Sequence, residues 1–148
     1  MRKVILTGVN GFVGHHLARE LWIKKFSVIG TGTSTELSPV LKPFVDEYVG
    51  NCDLTKEKDV SRLDLKDVIA IINLAGLSNV GASFDMSEEY LKLNVGVHTK
   101  LADRIYKEGL EIRMVSVSSG AIYDATQTMP LKEDSPAITE GSPYALSK

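Results

Sequence analysis

The 148-residue sequence predicts an α/β domain with a doubly wound parallel sheet. Three observations carry that expectation. Short apolar runs alternate with segments of helical periodicity along the chain. The first run passes directly into a glycine-rich turn that opens an amphipathic segment. A later run, residues 68–72, is apolar throughout, as in a strand covered on both faces.

Taken in order, Val4-Ile5-Leu6 is the first strand and residues 12–23 the first helix, with Val13, Leu17, Leu21 and Trp22 expected on its buried face. Ser27-Val28-Ile29 is the second strand, closed by Gly30-Thr31-Gly32-Thr33-Ser34. Pro39 and Pro43 break residues 36–46 into loop and short helix. Tyr48-Val49 makes a third short strand before Asn51-Cys52-Asp53-Leu54. Residues 55–63 read as a helix capped by Thr55, with Lys58 and Asp59 outward. After the strand at 68–72, a long helix is expected over 87–107. Leu91, Val95, His98 or Thr99, Ala102 and Ile105 fall on one side of it, and Gly109 stops it. Met114-Val115-Ser116-Val117 is the fifth strand. A loop rich in Thr, Pro, Asp and Ser leads from there to a helix start at Ser142-Pro143-Tyr144.

Composition narrows the function. A hydrophobic fraction of 43% and a net charge of −2 suit one globular domain with no field to recruit nucleic acid or an anionic membrane. A single cysteine, Cys52, forbids an intrachain disulfide and fits a reducing compartment. No apolar run approaches the roughly 20 residues of a membrane span, so the expected location is the cytoplasm. His15 and His16 point apart on a helix and His98 stands alone, so no metal site is expected. Cys52 and Trp22 read as packing residues.

Chemistry enters at Gly8-Val9-Asn10-Gly11-Phe12-Val13-Gly14. A turn that holds a pyrophosphate needs positive φ, close backbone approach and tight helix–strand packing, all of which glycine supplies. The amides at the new helix's start then face the anion. The spacing G-x-x-G-x-x-G after Thr7 resembles the extended short-chain dehydrogenase/reductase family, the NAD-dependent epimerases and dehydratases that modify nucleotide sugars. Three further motifs resemble it in the right order. They are Asn73-Leu74-Ala75-Gly76 after the fourth strand, Leu93-Asn94-Val95-Gly96 in the long helix, and Val117-Ser118-Ser119-Gly120-Ala121-Ile122-Tyr123 after the fifth. Tyr144-Ala145-Leu146-Ser147-Lys148 completes the set with a Y-x-x-x-K pair that shares one helix face.

The resemblance implies a Rossmann-type domain spanning 1–148, truncated before its last strand or strands, with a C-terminal substrate domain absent. It implies catalysis by Ser119, Tyr144 and Lys148. A tyrosine, with a reference pKa of about 10, exchanges protons at neutral pH only if a cation such as Lys148 stabilises its phenolate. Tyr144 would take the hydroxyl proton of a secondary alcohol while hydride passes to the nicotinamide, and Ser119 would hydrogen-bond the substrate oxygen. Cofactor contacts carry over to Gly8, Asn10, Gly11, Phe12, Val13, Gly14, Thr33, Asp53, Leu54, Leu74, Ala75, Gly76, Asn94, Val117, Tyr144 and Lys148. Asp53 would bond the adenine amino group, or else serve as a helix cap.

Departures from the pattern matter too. The acid expected at the end of the second strand is replaced by Gly32, and no arginine stands nearby to hold a 2′-phosphate, so the cofactor is NAD(P) with a lean to NADP. Ala121 stands where sugar 4,6-dehydratases carry a carboxylate, which favours an epimerase or ketoreductase of a nucleotide sugar. The alternatives are a dehydratase, or a non-catalytic redox-sensing NAD(P) module. The segments 78–84 and 130–136 resemble enzymes of GDP-activated deoxysugars, and Asp124 replaces a usual glycine. A homodimer is expected of the full-length protein, paired through the 87–107 and Tyr-Lys helices. The 148-residue chain alone is expected to be inactive.

Overall fold

The computed structural model describes residues 2–148 apart from 125 and 139. Five strands, β1 (Lys3–Thr7), β2 (Ser27–Thr31), β3 (Glu47–Val49), β4 (Val68–Asn73) and β5 (Arg113–Ser116), form one parallel sheet in the order β3-β2-β1-β4-β5. The chain winds outward one way from β1 to β3, then crosses back to β4. That reversal opens a crevice beyond the carboxyl ends of β1 and β4, where ligands bind such sheets. Thr7 pairs with both Thr31 and Asn73, so three strand ends are level at its rim.

Alternation along the central strands fills a layer on each face. Val4, Leu6 and Val28 pack with Val9, Ala18 and Leu21 of the first helix's layer. Ile5, Ile29 and Ile71 pack on the other face with Val60, Val97 and Leu101. Residue 69 at the start of β4 is 37% exposed, so only part of the strand is covered on both faces as expected.

Helix α1 (Phe12–Ile23) has the expected bounds and part of the expected face: Leu21 is buried and Leu17 packs against the core, but Val13 and Trp22 are exposed and Gly14 and Ala18 are buried. The small residues face the sheet because the helix lies close against β1. Trp22 instead stacks edge-on against Phe44, with centroids 5.6 Å apart. Helix α2 is the single turn Glu57–Val60, shorter than expected. Thr55 does not cap it, because its hydroxyl donates to Asp53. Asp59 is buried rather than outward, accepting hydrogen bonds from the Asp53 amide and from Arg62.

The long helix after β4 runs unbroken over the expected residues 87–107, with a π-helical turn inside it. It consists of α3 (Ser87–Tyr90), a π-helical turn (Leu91–Val95) and α4 (Gly96–Lys107). Tyr90, Asn94, Val97 and Leu101, at ordinary α-helical spacing, are buried, and Leu91 and Val95, one position along from that face, are exposed instead of covered. His98 and Thr99 are exposed as well, while Ile105 packs inward as expected. Gly109 ends the helix at φ +61°. Beyond β5 lies α5 (Pro143–Leu146). Among the described residues no helix is long and apolar enough to cross a membrane.

Candidate functional site: a cleft at the carboxyl ends of β1 and β4

The glycine turn is built against the loop after β4. Gly8 adopts φ +63°, and a Cβ there would come within 3.1 Å of the Ala75 nitrogen. Gly14 sits under α1, where a Cβ would meet the Val9 carbonyl oxygen at 2.3 Å. Neither position tolerates a side chain without moving backbone. Thr7 completes the joint: its hydroxyl donates to Asn73 Oδ1 at 2.6 Å and accepts from the amides of Leu74 (3.1 Å) and Ala75 (3.0 Å). Gly11 precedes α1 and gives it no side-chain cap, so the first amides of the helix keep no acceptor from its own chain turn.

A cavity of about 330 Å³ lies over this joint. Gly8, Asn10, Gly11, Thr33, Asp53, Leu54, Leu74, Ala75 and Gly76, all expected cofactor residues, line it. So do Thr31, Gly32, Ser34 and Cys52, which sequence reasoning left out of the contact set. The Thr31 hydroxyl is buried and finds no hydrogen-bond partner among the described residues. Phe12 and Val13 are exposed at the start of α1 and do not line the cavity, and Gly14 lies buried beneath it.

Three expected contacts, Asn10, Asp53 and Asn94, are already engaged within the protein. The Asn10 side-chain oxygen accepts from the Ser38 amide (2.9 Å), and its nitrogen donates to the Glu36 carbonyl (3.0 Å) and to Tyr48 Oη (3.3 Å). Asp53 Oδ1 accepts from the hydroxyl (2.7 Å) and amide (3.1 Å) of Thr55, and Oδ2 pairs with Lys56 at 3.0 Å. The Thr55 hydroxyl, followed by Lys56, holds the Asp53 carboxyl below its ordinary range. Burial pushes the Cys52 thiol up, so it is protonated at neutral pH.

A second cavity, about 260 Å³, adjoins the first at Ala75 and is lined by Asn94, Val117 and Lys148, together with Asn73, His98, Ser116 and Ser147. Asn94, within the π-helical turn, is buried on the same face as Tyr90 and Val97, and its oxygen accepts from the Leu77 amide (2.8 Å). Its nitrogen donates to the Leu77 carbonyl (3.1 Å) and to Ser147 Oγ (2.8 Å). Asn94 therefore ties the loop after β4 to the Tyr-Lys segment. Ser142 caps α5 by accepting from the Ala145 amide (3.2 Å). Lys148 Nζ lies 5.9 Å from the Tyr144 ring centroid and 3.5 Å from the Val117 carbonyl oxygen. Tyr144 packs edge-on against the buried Tyr90, whose hydroxyl donates to the Asn79 carbonyl. Ser119 opens the turn after β5, its hydroxyl accepting from the Ala121 amide at 3.2 Å. Ser119 and Tyr144 line neither cavity. Among the described residues, no three His, Cys, Asp or Glu side chains group as a metal site.

Comparison with known proteins agrees with this architecture. Residues 4–148 match the model of the NAD dependent epimerase/dehydratase family. A UDP-glucose 4-epimerase of Neisseria meningitidis serogroup B is 29% identical over all of this chain and 45% of its own length. A GDP-mannose 4,6-dehydratase of Vibrio cholerae is 29% identical, over 99% of this chain and 43% of its own. The crystal structure of UDP-glucose 4-epimerase from Bifidobacterium longum in complex with NAD+ and UDP superposes with a TM-score of 0.86 at 25% identity, over 99% of this chain and 45% of that one. The dTDP-glucose 4,6-dehydratase of Streptomyces venezuelae, with NAD bound, superposes at 0.82 with 28% identity, over 99% and 48%. The chain thus spans about half the length of the relatives it matches. With its parallel sheet, its glycine turn and a family match over nearly every residue, the chain belongs to the NAD-dependent epimerase/dehydratase family.

Proposed function

We propose that the cleft binds NAD(P) and that the protein acts as an epimerase or ketoreductase on a nucleotide-activated sugar. The observation that carries this reading is the joint at Gly8, where backbone closeness to Ala75 leaves no room for a Cβ, directly beneath the cavity. That cradle fits a polar ligand approached by backbone. Gly8, Gly11 and the start of α1 would hold the pyrophosphate. Thr33, Asp53 and Leu54 would face the adenosine end, and Leu74, Ala75, Gly76, Asn94 and Val117 the nicotinamide end. When bound, the nicotinamide takes up and returns a hydride. Tyr144 would move the proton at the substrate hydroxyl, Lys148 would favour its phenolate and hold the ribose, and Ser119 would orient the substrate oxygen.

Relatives include both epimerases and 4,6-dehydratases. Ala121 offers no carboxyl for eliminating water, which supports the epimerase or ketoreductase reading. Gly32 in place of an acid favours admission of NADP alongside the NAD carried by the solved relatives. Exposed Leu91, Val95 and Leu146 support pairing of two copies through these helices in the longer protein.

Titration of the 148-residue chain with NADH, followed by nicotinamide fluorescence, tests the reading. Micromolar binding is expected. No binding at millimolar NADH or NADPH would overturn it.

A further inference from the structure

The wall of the cleft at Cys52, Asp53 and Leu54 is held from behind by two side chains that do not line it, Asp59 and Arg62. The wall grows out of a tight turn. Asn51 takes the left-handed region at φ +47°, and a Cβ on Gly50 would meet the Thr35 carbonyl oxygen at 2.4 Å. Arg62, just beyond α2, closes this turn. Its Nη2 donates to the Gly50 carbonyl and its Nη1 to the Asn51 carbonyl, each at 2.9 Å. A guanidinium offers two such donors in one rigid plane, which a lysine ammonium does not.

Asp59 sets both the arginine and the rest of the turn. It is buried, with Oδ1 3.4 Å from Arg62 Nη1, and Oδ2 accepts from the Asp53 amide at 3.1 Å. Its backbone carbonyl accepts from the Cys52 thiol at 3.6 Å. Every residue from 50 to 53 is thus bonded to Asp59 or Arg62. The turn is fastened to the facing wall as well. The Asn51 amide donates to the Ser34 carbonyl (3.1 Å), the Cys52 amide to the Gly32 carbonyl (3.0 Å), and the Thr35 hydroxyl to Asn51 Oδ1 (3.1 Å). A buried ion pair is rarely better for stability than apolar residues of the same volume. What this pair adds is a fixed turn.

We propose that Arg62, oriented by Asp59, is a positioning residue for the adenosine end of the cleft. It touches no ligand. It holds residues 50–53, and through them the 32–35 loop, so that both walls stand in the binding geometry before a ligand arrives and no ordering cost falls on binding. The proposal rests on the dinucleotide reading above.

Calorimetric titration of the 148-residue chain with ADP, which carries the adenosine end and both phosphates, and with NADH tests it. Arg62→Met keeps the apolar stem and removes the paired donors, whereas Arg62→Lys keeps the charge beside Asp59 and removes only the planar pair. Both variants are expected to weaken ADP and NADH by about tenfold. Both are also expected to speed amide exchange at residues 51–53, and unchanged exchange there would overturn the proposal. A role in stability alone would lower the urea midpoint and leave the folded protein's affinity for ADP at the wild-type value, which would overturn it too. Wild-type affinity in Arg62→Lys would assign the effect to charge and likewise overturn the turn-holding role. Circular dichroism checks folding. If Arg62→Met does not fold, Arg62→Lys decides alone by the same results. Binding of neither ADP nor NADH to the wild-type chain would overturn the dinucleotide reading, and this proposal with it.

Discussion

Replacing Gly14 with alanine isolates how closely α1 is set on the first strand. The added methyl would lie 2.3 Å from the Val9 carbonyl oxygen and 2.7 Å from its carbon and Cα, all backbone atoms. No rotamer change relieves such a clash, so α1 must retreat until contacts reach the 3.0 Å at which real ones begin. Retreat loosens Ala18 and Leu21 from the sheet. Overpacking of a tight core costs about 1–3 kcal/mol, and a backbone clash belongs at the upper end. Alanine's better helix propensity offsets about 1 kcal/mol of that, leaving a net loss of about 2 kcal/mol. For a domain of this size that lowers Tm by about 4–8 °C. Gly96→Ala is the matched control, because Gly96 is helical with nothing within 4 Å of an added Cβ. It should gain up to about 1 kcal/mol. Urea unfolding of both variants, followed by circular dichroism, measures the contrast. Wild-type stability for Gly14→Ala, or equal shifts for the two variants, would refute the reasoning.

Other expectations follow from single joints. Thr7→Val keeps shape but strips the Leu74 and Ala75 amides of their acceptor, which should destabilise by about 2–4 kcal/mol in the same unfolding assay. Asn94→Leu cuts the tie between Leu77 and Ser147, and should cost about 1–3 kcal/mol and speed amide exchange at Leu77. Asp53 has its folded pKa depressed, so its contribution is present above the unfolded carboxylate value of about 3.9 and is lost as pH falls through the lower folded one. The stability gap between wild type and Asp53→Asn should therefore close in acid unfolding below about pH 4.

Much of the fold is legible because the alternation of strands with helices and the glycine turn depend on local patterns. Val4-Ile5-Leu6 running into Gly8 leaves little choice of structure, and the observed β1 and α1 follow it. Helix faces were harder. On α1 the expected Leu17 and Leu21 do face inward, but packing close to β1 selects the small Gly14 and Ala18 over Val13 and Trp22. The face of the 87–107 segment was misjudged by one position: the buried residues 90, 94, 97 and 101 keep the expected helical spacing, but the reading preferred the more apolar Leu91 and Val95 to Tyr90 and Asn94. At the site, the lining by Gly8, Ala75 and Gly76 could be anticipated from motifs. Thr7 carried a signal, a hydroxyl ending an apolar strand, whose use only the Asn73 register reveals. Arg62 carried none, since its partners, the Gly50 and Asn51 carbonyls, belong to a turn that only the fold brings to it.

The central claim, that the cleft over the β1–β4 joint is the dinucleotide site, is tested most directly by hydrogen exchange of the chain with and without saturating NADH. The account predicts slowed exchange at residues 8–14, 31–34, 53–54 and 74–77, with the outer face of α4 unchanged. Protection confined to other segments, or no protection although NADH binds, would contradict it.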